Sequence, residues 1–121
     1  MRTFKSKPFA RWARKEGLNN AGLLDAVDEM DEGNIDANLG GQVYKKRVAL
    51  AGRGKRGGVR TLIAYQGGEK AFFMFGFAKN ERSNISKDEL KALKLMAKDL
   101  LGMSDARLKK ALKAKELIEV K

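Results

Sequence analysis

The sequence predicts a single α+β domain in which two N-terminal helices precede an antiparallel β-sheet and further helices follow it. Capped segments with helical spacing of apolar residues occur near both ends of the chain, whereas β-branched and aromatic segments separated by glycine-rich breaks fill the middle. The connections between these middle segments are too short for parallel crossovers, which favours antiparallel pairing. A chain of 121 residues, 43% of them hydrophobic, is enough for one domain over residues 1–121 with a modest core.

Capping residues place the helices. Ser6 before Pro8 predicts the start of a short helix that Gly17 ends, and a second helix is expected from about 21 to 32. The pattern S-x-x-E at 86–89 predicts a capping box and a third helix that Gly102 ends. A fourth helix is expected from Ser104, with residues 116–121 as a short extended piece.

Three strands are expected at 43–50, 59–65 and 70–78. The third, KAFFMFGFA, is apolar on both faces, as in a central strand, so its phenylalanines are interpreted as core and not as base-stacking groups. Alternation along the second strand puts Arg60, Leu62 and Ala64 on one face. Counting outward from the QGGE turn, we expect Arg60 opposite about residue 74.

The composition limits the chemistry. There is no Cys or His, which excludes disulfides, Cys/His zinc sites and histidine acid–base catalysis. The longest apolar run, residues 71–78, is shorter than a membrane span, and the basic start lacks the apolar stretch of a secretory signal, so a cytoplasmic protein is expected. The net charge of +11, from 26 Lys and Arg against 15 Asp and Glu, favours a nucleic-acid partner.

The charges are segregated along the chain. Residues 16–36 contain seven acids and no Lys or Arg, whereas residues 42–68 contain seven basic residues and no acid. Such a basic stretch is typical of a phosphate-facing surface, although cations also protect a sheet edge from aggregation. The acids on the second helix are read as its solvated face, which gives little support to a metal site.

Glycines surround part of the basic stretch. Residues 52–57 match G-x-G-x-x-G, yet they lie between two strands and open no helix, so a dinucleotide site is not expected. A P-loop is also excluded, because Gly58 and Val59 stand where Lys and Ser/Thr would be needed. A glycine-rich hairpin loop would still let cations approach a phosphate chain closely.

The sequence predicts a basic pocket over one end of the sheet as the functional site. The alternative interpretation is a basic patch of the size needed to bind RNA that catalyses no reaction. The pocket combines Arg53, Lys55 and Arg60 with Lys79 and Arg82, which follow the third strand.

Two stretches, VYKKRVALAGRGKRGGVRTLIAY and KAFFMFGFAKNERSNISKDELKALK, resemble the RelE-like, HigB-type toxins of bacterial type II toxin–antitoxin systems. The resemblance covers about residues 36–120. It implies a RelE/ParE-like fold and an mRNA endoribonuclease that acts on the ribosome. RNA cleavage without a metal or cofactor can use the neighbouring 2′-OH as nucleophile, so the expected products are a 2′,3′-cyclic phosphate and a 5′-OH. The resemblance also implies a cognate antitoxin with a helix-turn-helix domain as partner.

The resemblance assigns site roles by position. It implies that Arg60 contacts the scissile phosphate, that Lys79 takes the basic position after the third strand and that Lys55 is a loop lysine that assists proton transfer. The C-terminal tyrosine of some relatives has no counterpart after Lys79. From the chemistry of cleavage, either Lys55 or Lys79 is expected to act as base or acid. The RNA-binding residues are expected to be Lys45, Lys46, Arg47, Arg53, Arg56 and Arg82. The same superfamily contains gyrase inhibitors, so a non-catalytic basic binding module is the competing function. A structural partner that assembles through the acidic second helix has weaker support.

Overall fold

The computed structural model describes residues 1–50 and 54–121, with the side chains of residues 54–57 outside the description. Within these ranges the chain forms six strands and four helices: β1 (Arg2–Ser6), α1 (Lys7–Glu16), α2 (Asn20–Asp31), β2 (Ala37–Asn38), β3 (Val43–Leu50), β4 (Gly54–Gln66), β5 (Lys70–Ala78), α3 (Lys87–Leu101), α4 (Asp105–Lys113) and β6 (Leu117–Val120). The predicted α+β class and the predicted helices are therefore confirmed.

The sheet is mixed, with strand order β2-β3-β4-β5-β1-β6. β1 runs parallel to β5, and the other neighbours are antiparallel. The expectations of a wholly antiparallel sheet and of helices before any strand are wrong on this point. Short connections enforce antiparallel pairing only between consecutive strands, whereas β1 and β5 are separated in sequence by two helices and three strands.

Two interactions explain how β1 forms: its packing against β5, and the helix cap that its last residue provides to α1. Phe4 is fully buried and stacks on Phe72 with ring centroids 4.9 Å apart. Ser6 ends the strand and caps α1, because its side chain accepts a hydrogen bond from the backbone N–H of Phe9 at 3.2 Å. The chain therefore passes from strand to helix without a loop.

Each face of the sheet carries its own core. α1 and α2 cover one face, where Trp12 lies so close to Gly76 that a Cβ there would be 2.2 Å from the indole ring. α3 and α4 cover the other face, over Leu62 and Ala64. No helix within the described ranges is long and apolar enough to cross a bilayer.

A bulge in β5 sets the register of the site. Ile63 pairs with Phe73 but Leu62 pairs with Phe75, which leaves Met74 as an extra residue. Arg60 therefore lies opposite Phe77, and the expectation that it lies near residue 74 is wrong. The turn closed by Gln66 and Lys70 already places Arg60 beyond residue 74, and the bulge shifts it by one more residue.

Candidate nucleic-acid interface

Two arginines lie side by side on the face of the sheet that α3 covers in part. Arg47 on β3 is the direct cross-strand partner of Arg60 on β4, and Arg60 is in turn opposite Phe77 on β5. Side chains directly opposite each other project from the same face, so the three form a row across the sheet. Leu62, two residues along from Arg60, is buried under α3, whereas both arginines are half-exposed. We call Arg47 and Arg60 the arginine pair.

The arginine pair has unsatisfied hydrogen-bonding capacity. Arg47 Nε and Arg60 Nη1 are buried and donate no hydrogen bond to any group that the structure describes. Neither guanidinium forms an ion pair with any residue that the structure describes. Buried polar atoms without partners are rare and costly in folded proteins. Two adjacent guanidiniums with free donors form a site that a phosphate or another oxyanion would complete, because each can donate two parallel hydrogen bonds to it.

The opposite face of the same strands holds a structural ion pair. Lys46 is 1% exposed, and its Nζ donates to Glu29 Oε1 on α2 at 2.7 Å. The carbonyl of Lys46 accepts a hydrogen bond from Thr61 Oγ1 at 2.8 Å, which ties β3 to β4 beside the arginine pair. Lys46 thus points away from the arginine pair. Its burial and its ion pair with Glu29 separate Lys46 from the other predicted RNA-binding residues.

Arg82 also has partners, because all three nitrogens of its guanidinium donate hydrogen bonds. Its Nε donates to the carbonyl of Asn84 at 3.0 Å, Nη1 donates to Glu89 Oε2 at 3.0 Å, and Nη2 donates to Glu89 Oε1. Hydrogen bonds from Arg82 and from the backbone N–H of Ser86 lower the pKa of the Glu89 carboxyl to about 2. The guanidinium also lies 5.7 Å from the ring centroid of Phe77 and 6.0 Å from that of Phe75.

These contacts give Arg82 a structural role. They fix the segment between β5 and α3 to the sheet and to the capping box of α3, in which Glu89 is the N3 residue. Arg82 thus differs from the arginine pair, since its charge is already compensated by a carboxylate.

The remaining predicted site residues lie around the arginine pair or outside the described side chains. Lys45 is half-buried on the same strand face as Arg47 and opposite Leu62. Lys79 is exposed directly after Ala78, which pairs with Val59, so it lies beside the glycine-rich part of β4. The side chains of Lys55 and Arg56 fall outside the description, and Arg53 lies outside the described residues altogether.

The pairing of Arg47 with Arg60 is the feature that sequence reasoning missed. Arg47 is predicted only as one of several RNA-binding cations, because its neighbour depends on the register between β3 and β4. The alternation of β3 contains a usable signal: Lys46 is in phase with the core residue Val48, whereas Lys45 is in phase with Arg47. Among the described residues, no group of three or more Asp and Glu side chains is arranged to hold a metal ion.

Comparison with known proteins agrees with this fold. The family model for the RelE toxin of the RelE/RelB toxin–antitoxin system matches residues 1–120. No curated protein matches the sequence. The match includes β1, α1 and α2, which the motif resemblance over about residues 36–120 did not reach. The chain therefore belongs to the RelE toxin family.

Proposed function

We propose that this RelE-family toxin is a metal-independent mRNA endoribonuclease that acts at the ribosome in the cytoplasm and is neutralised by a cognate antitoxin. The observation that supports the proposal best is the arginine pair, whose buried Arg47 Nε and Arg60 Nη1 have no hydrogen-bond partner among the described residues. Members of this family are generally mRNA-cleaving toxins. A net charge of +11 favours the same class of substrate.

The proposed reaction uses the RNA itself as nucleophile. The 2′-OH loses its proton and attacks the adjacent phosphorus, the bond from phosphorus to the 5′ oxygen breaks, and that oxygen receives a proton. The products are a 2′,3′-cyclic phosphate and a free 5′-OH. This reaction needs stabilisation of charge on the non-bridging phosphate oxygens and two proton transfers.

The arginine pair fits the stabilising role. Guanidiniums stay protonated, so Arg47 and Arg60 bind the phosphate and do not act as bases. Their position in two adjacent strands holds them before the substrate arrives, which avoids a reorganisation cost during the reaction. We assign the two proton transfers to Lys79 and Lys55, one as base and the other as acid. Lysines are weak acid–base groups for this reaction, so much of the rate of cleavage would come from a ribosome that orients the mRNA.

Primer extension on mRNA after induction tests the proposal. The wild-type chain should create discrete new 5′ ends, which should carry a hydroxyl and thus require phosphorylation before ligation. Arg60→Ala and Arg47→Ala should each reduce cleavage by about 10²-fold or more, as expected for loss of a preorganised donor to a transition-state oxyanion. Arg60→Lys should recover only part of the activity, because an ammonium lacks the bidentate geometry.

Lys79→Ala and a matched control complete the experiment. Lys79→Ala should slow cleavage without weakening ribosome binding to the same extent. Lys109→Ala, which removes an exposed charge from α4, should cleave like the wild type. Growth arrest with intact mRNA would refute the nuclease and favour a binding module that blocks the ribosome or gyrase.

A further inference from the structure

The outer surface of α3 combines an exposed leucine with three lysines. Leu95 is 66% exposed, and among the described residues only Met1 is another exposed large hydrophobic. The spacing of residues 91, 94, 95 and 98 is i, i+3, i+4 and i+7, which puts Leu95 and the three lysines on one side of the helix. The three lysines are Lys91, Lys94 and Lys98. None of the three lysines forms an ion pair with a residue that the structure describes.

The turn between β2 and β3 makes this surface concave. A cavity of about 450 Å³ lies between Gly41, Gln42 and the α3 residues Lys91, Lys94, Leu95 and Lys98, which together we call the α3 groove. Gly41 has φ +60°, and a Cβ there would be 3.0 Å from Lys94 Cγ. Gln42 also has a positive φ of 65°, which is uncommon for a residue with a side chain. Backbone therefore forms one wall, and lysine stems with Leu95 form the other.

We propose that the α3 groove binds an acidic amphipathic segment of the cognate antitoxin. An apolar side chain of that segment would cover Leu95, and carboxylates on either side would pair with Lys91 and Lys98. The inference rests on the part of the proposed function in which an antitoxin neutralises the chain, and it does not depend on the cleavage chemistry.

Charge and shape favour a protein segment over RNA. The three lysines favour an anionic partner, and both an acidic protein segment and RNA are anionic. A partner with apolar side chains gains free energy by covering Leu95, and the aliphatic stems of the lysines extend the same apolar surface. A phosphate backbone would leave that apolar surface without a complementary group.

Calorimetric titration with the full-length cognate antitoxin tests the proposal. Leu95→Glu should weaken binding by about tenfold or more, because it removes the apolar contact and adds repulsion. The double variant Lys91→Glu and Lys98→Glu should weaken binding similarly, and more so at low salt. Lys109→Glu on α4 makes the same charge change outside the groove and should bind like the wild type. Because Leu95 and Lys109 are exposed, these variants should keep the wild-type melting temperature.

Two results would overturn the inference. The first is a wild-type Kd for the antitoxin in both groove variants, or no antitoxin binding by the wild type. The second is a loss of ribosome binding in the groove variants with an unchanged antitoxin Kd, which would make the groove a nucleic-acid surface. The binding assay is independent of the nuclease assay, so a wild-type chain that binds antitoxin through the groove but leaves mRNA intact would refute only the nuclease.

Discussion

Removal of Glu29 should destabilise the fold more than removal of its partner Lys46, although Lys46 is the more deeply buried of the two. Glu29→Ala leaves the Lys46 ammonium, 1% exposed, without its carboxylate. Breaking a buried ion pair from one side costs about 3–5 kcal/mol. Since the Glu29 side chain is 32% exposed, solvent screening reduces the expected loss to about 2–3 kcal/mol.

Lys46→Met should be far milder. Methionine fills a similar volume without charge, and the Glu29 carboxylate that remains can be hydrated, so we expect a loss of about 1 kcal/mol. The double variant should resemble Lys46→Met, because no buried ammonium is left in it. The double-mutant cycle also separates this pair from any other contact that Glu29 makes.

Urea unfolding monitored by Trp12 fluorescence measures these differences. Asp28→Ala, an exposed acid on the same helix, should change the free energy of unfolding by less than about 0.5 kcal/mol. A Lys46→Met chain that is less stable than Glu29→Ala would refute the reasoning. So would a double variant whose loss equals the sum of the two single losses.

Two further predictions concern packing and acid stability. Gly76→Ala should lose about 1–3 kcal/mol in urea unfolding, because its Cβ would overlap the Trp12 ring, whereas Gly22→Ala on α2, with only ordinary contacts, should be neutral or gain up to about 1 kcal/mol. Because Arg82 lowers the pKa of Glu89 from 4.5 to about 2, the stabilisation from this carboxylate is complete above pH 4.5 and is lost as the pH falls toward 2. Thermal melts of Glu89→Gln should therefore lose less stability than the wild type over that pH range, and equal losses would contradict the assignment.

Local signals in the sequence predicted the helices well. The capping box at Ser86 and Glu89 forms as expected, and Ser6 and Ser104 cap their helices. A cap involves residues three apart in sequence, so the pattern contains the whole interaction. The extended piece that the sequence predicts at residues 116–121 corresponds to β6.

Long-range pairing could not be predicted in the same way. β1 has one strongly apolar side chain, Phe4, and its stacking partner Phe72 lies far along the chain. The bulge at Met74 leaves no mark in the alternation of a strand that is apolar on both faces. The sequence predicts Arg60 as a site residue, but its pairing with Arg47 and the structural role of Lys46 depend on the register between strands.

The sheet separates the acids from the arginine pair. On the α2 face, Glu29 pairs with Lys46, and Asp31 accepts a hydrogen bond from the Tyr65 hydroxyl. Burial and this hydrogen bond raise the pKa of Tyr65 to about 12. These acids are thus directed to groups on the side opposite the arginine pair.

On the α3 face, Glu89 is held by Arg82. The chain contains 15 acids, and the two guanidiniums of the arginine pair still have no ion-pair partner among the described residues. A shortage of carboxylates therefore does not explain why these two guanidiniums have no described partner. Their buried, unsatisfied nitrogens cost stability that an internal ion pair would recover. An external oxyanion that satisfies both guanidiniums would recover that stability on binding, so affinity for phosphate and stability of the fold are linked at this one place in the sheet.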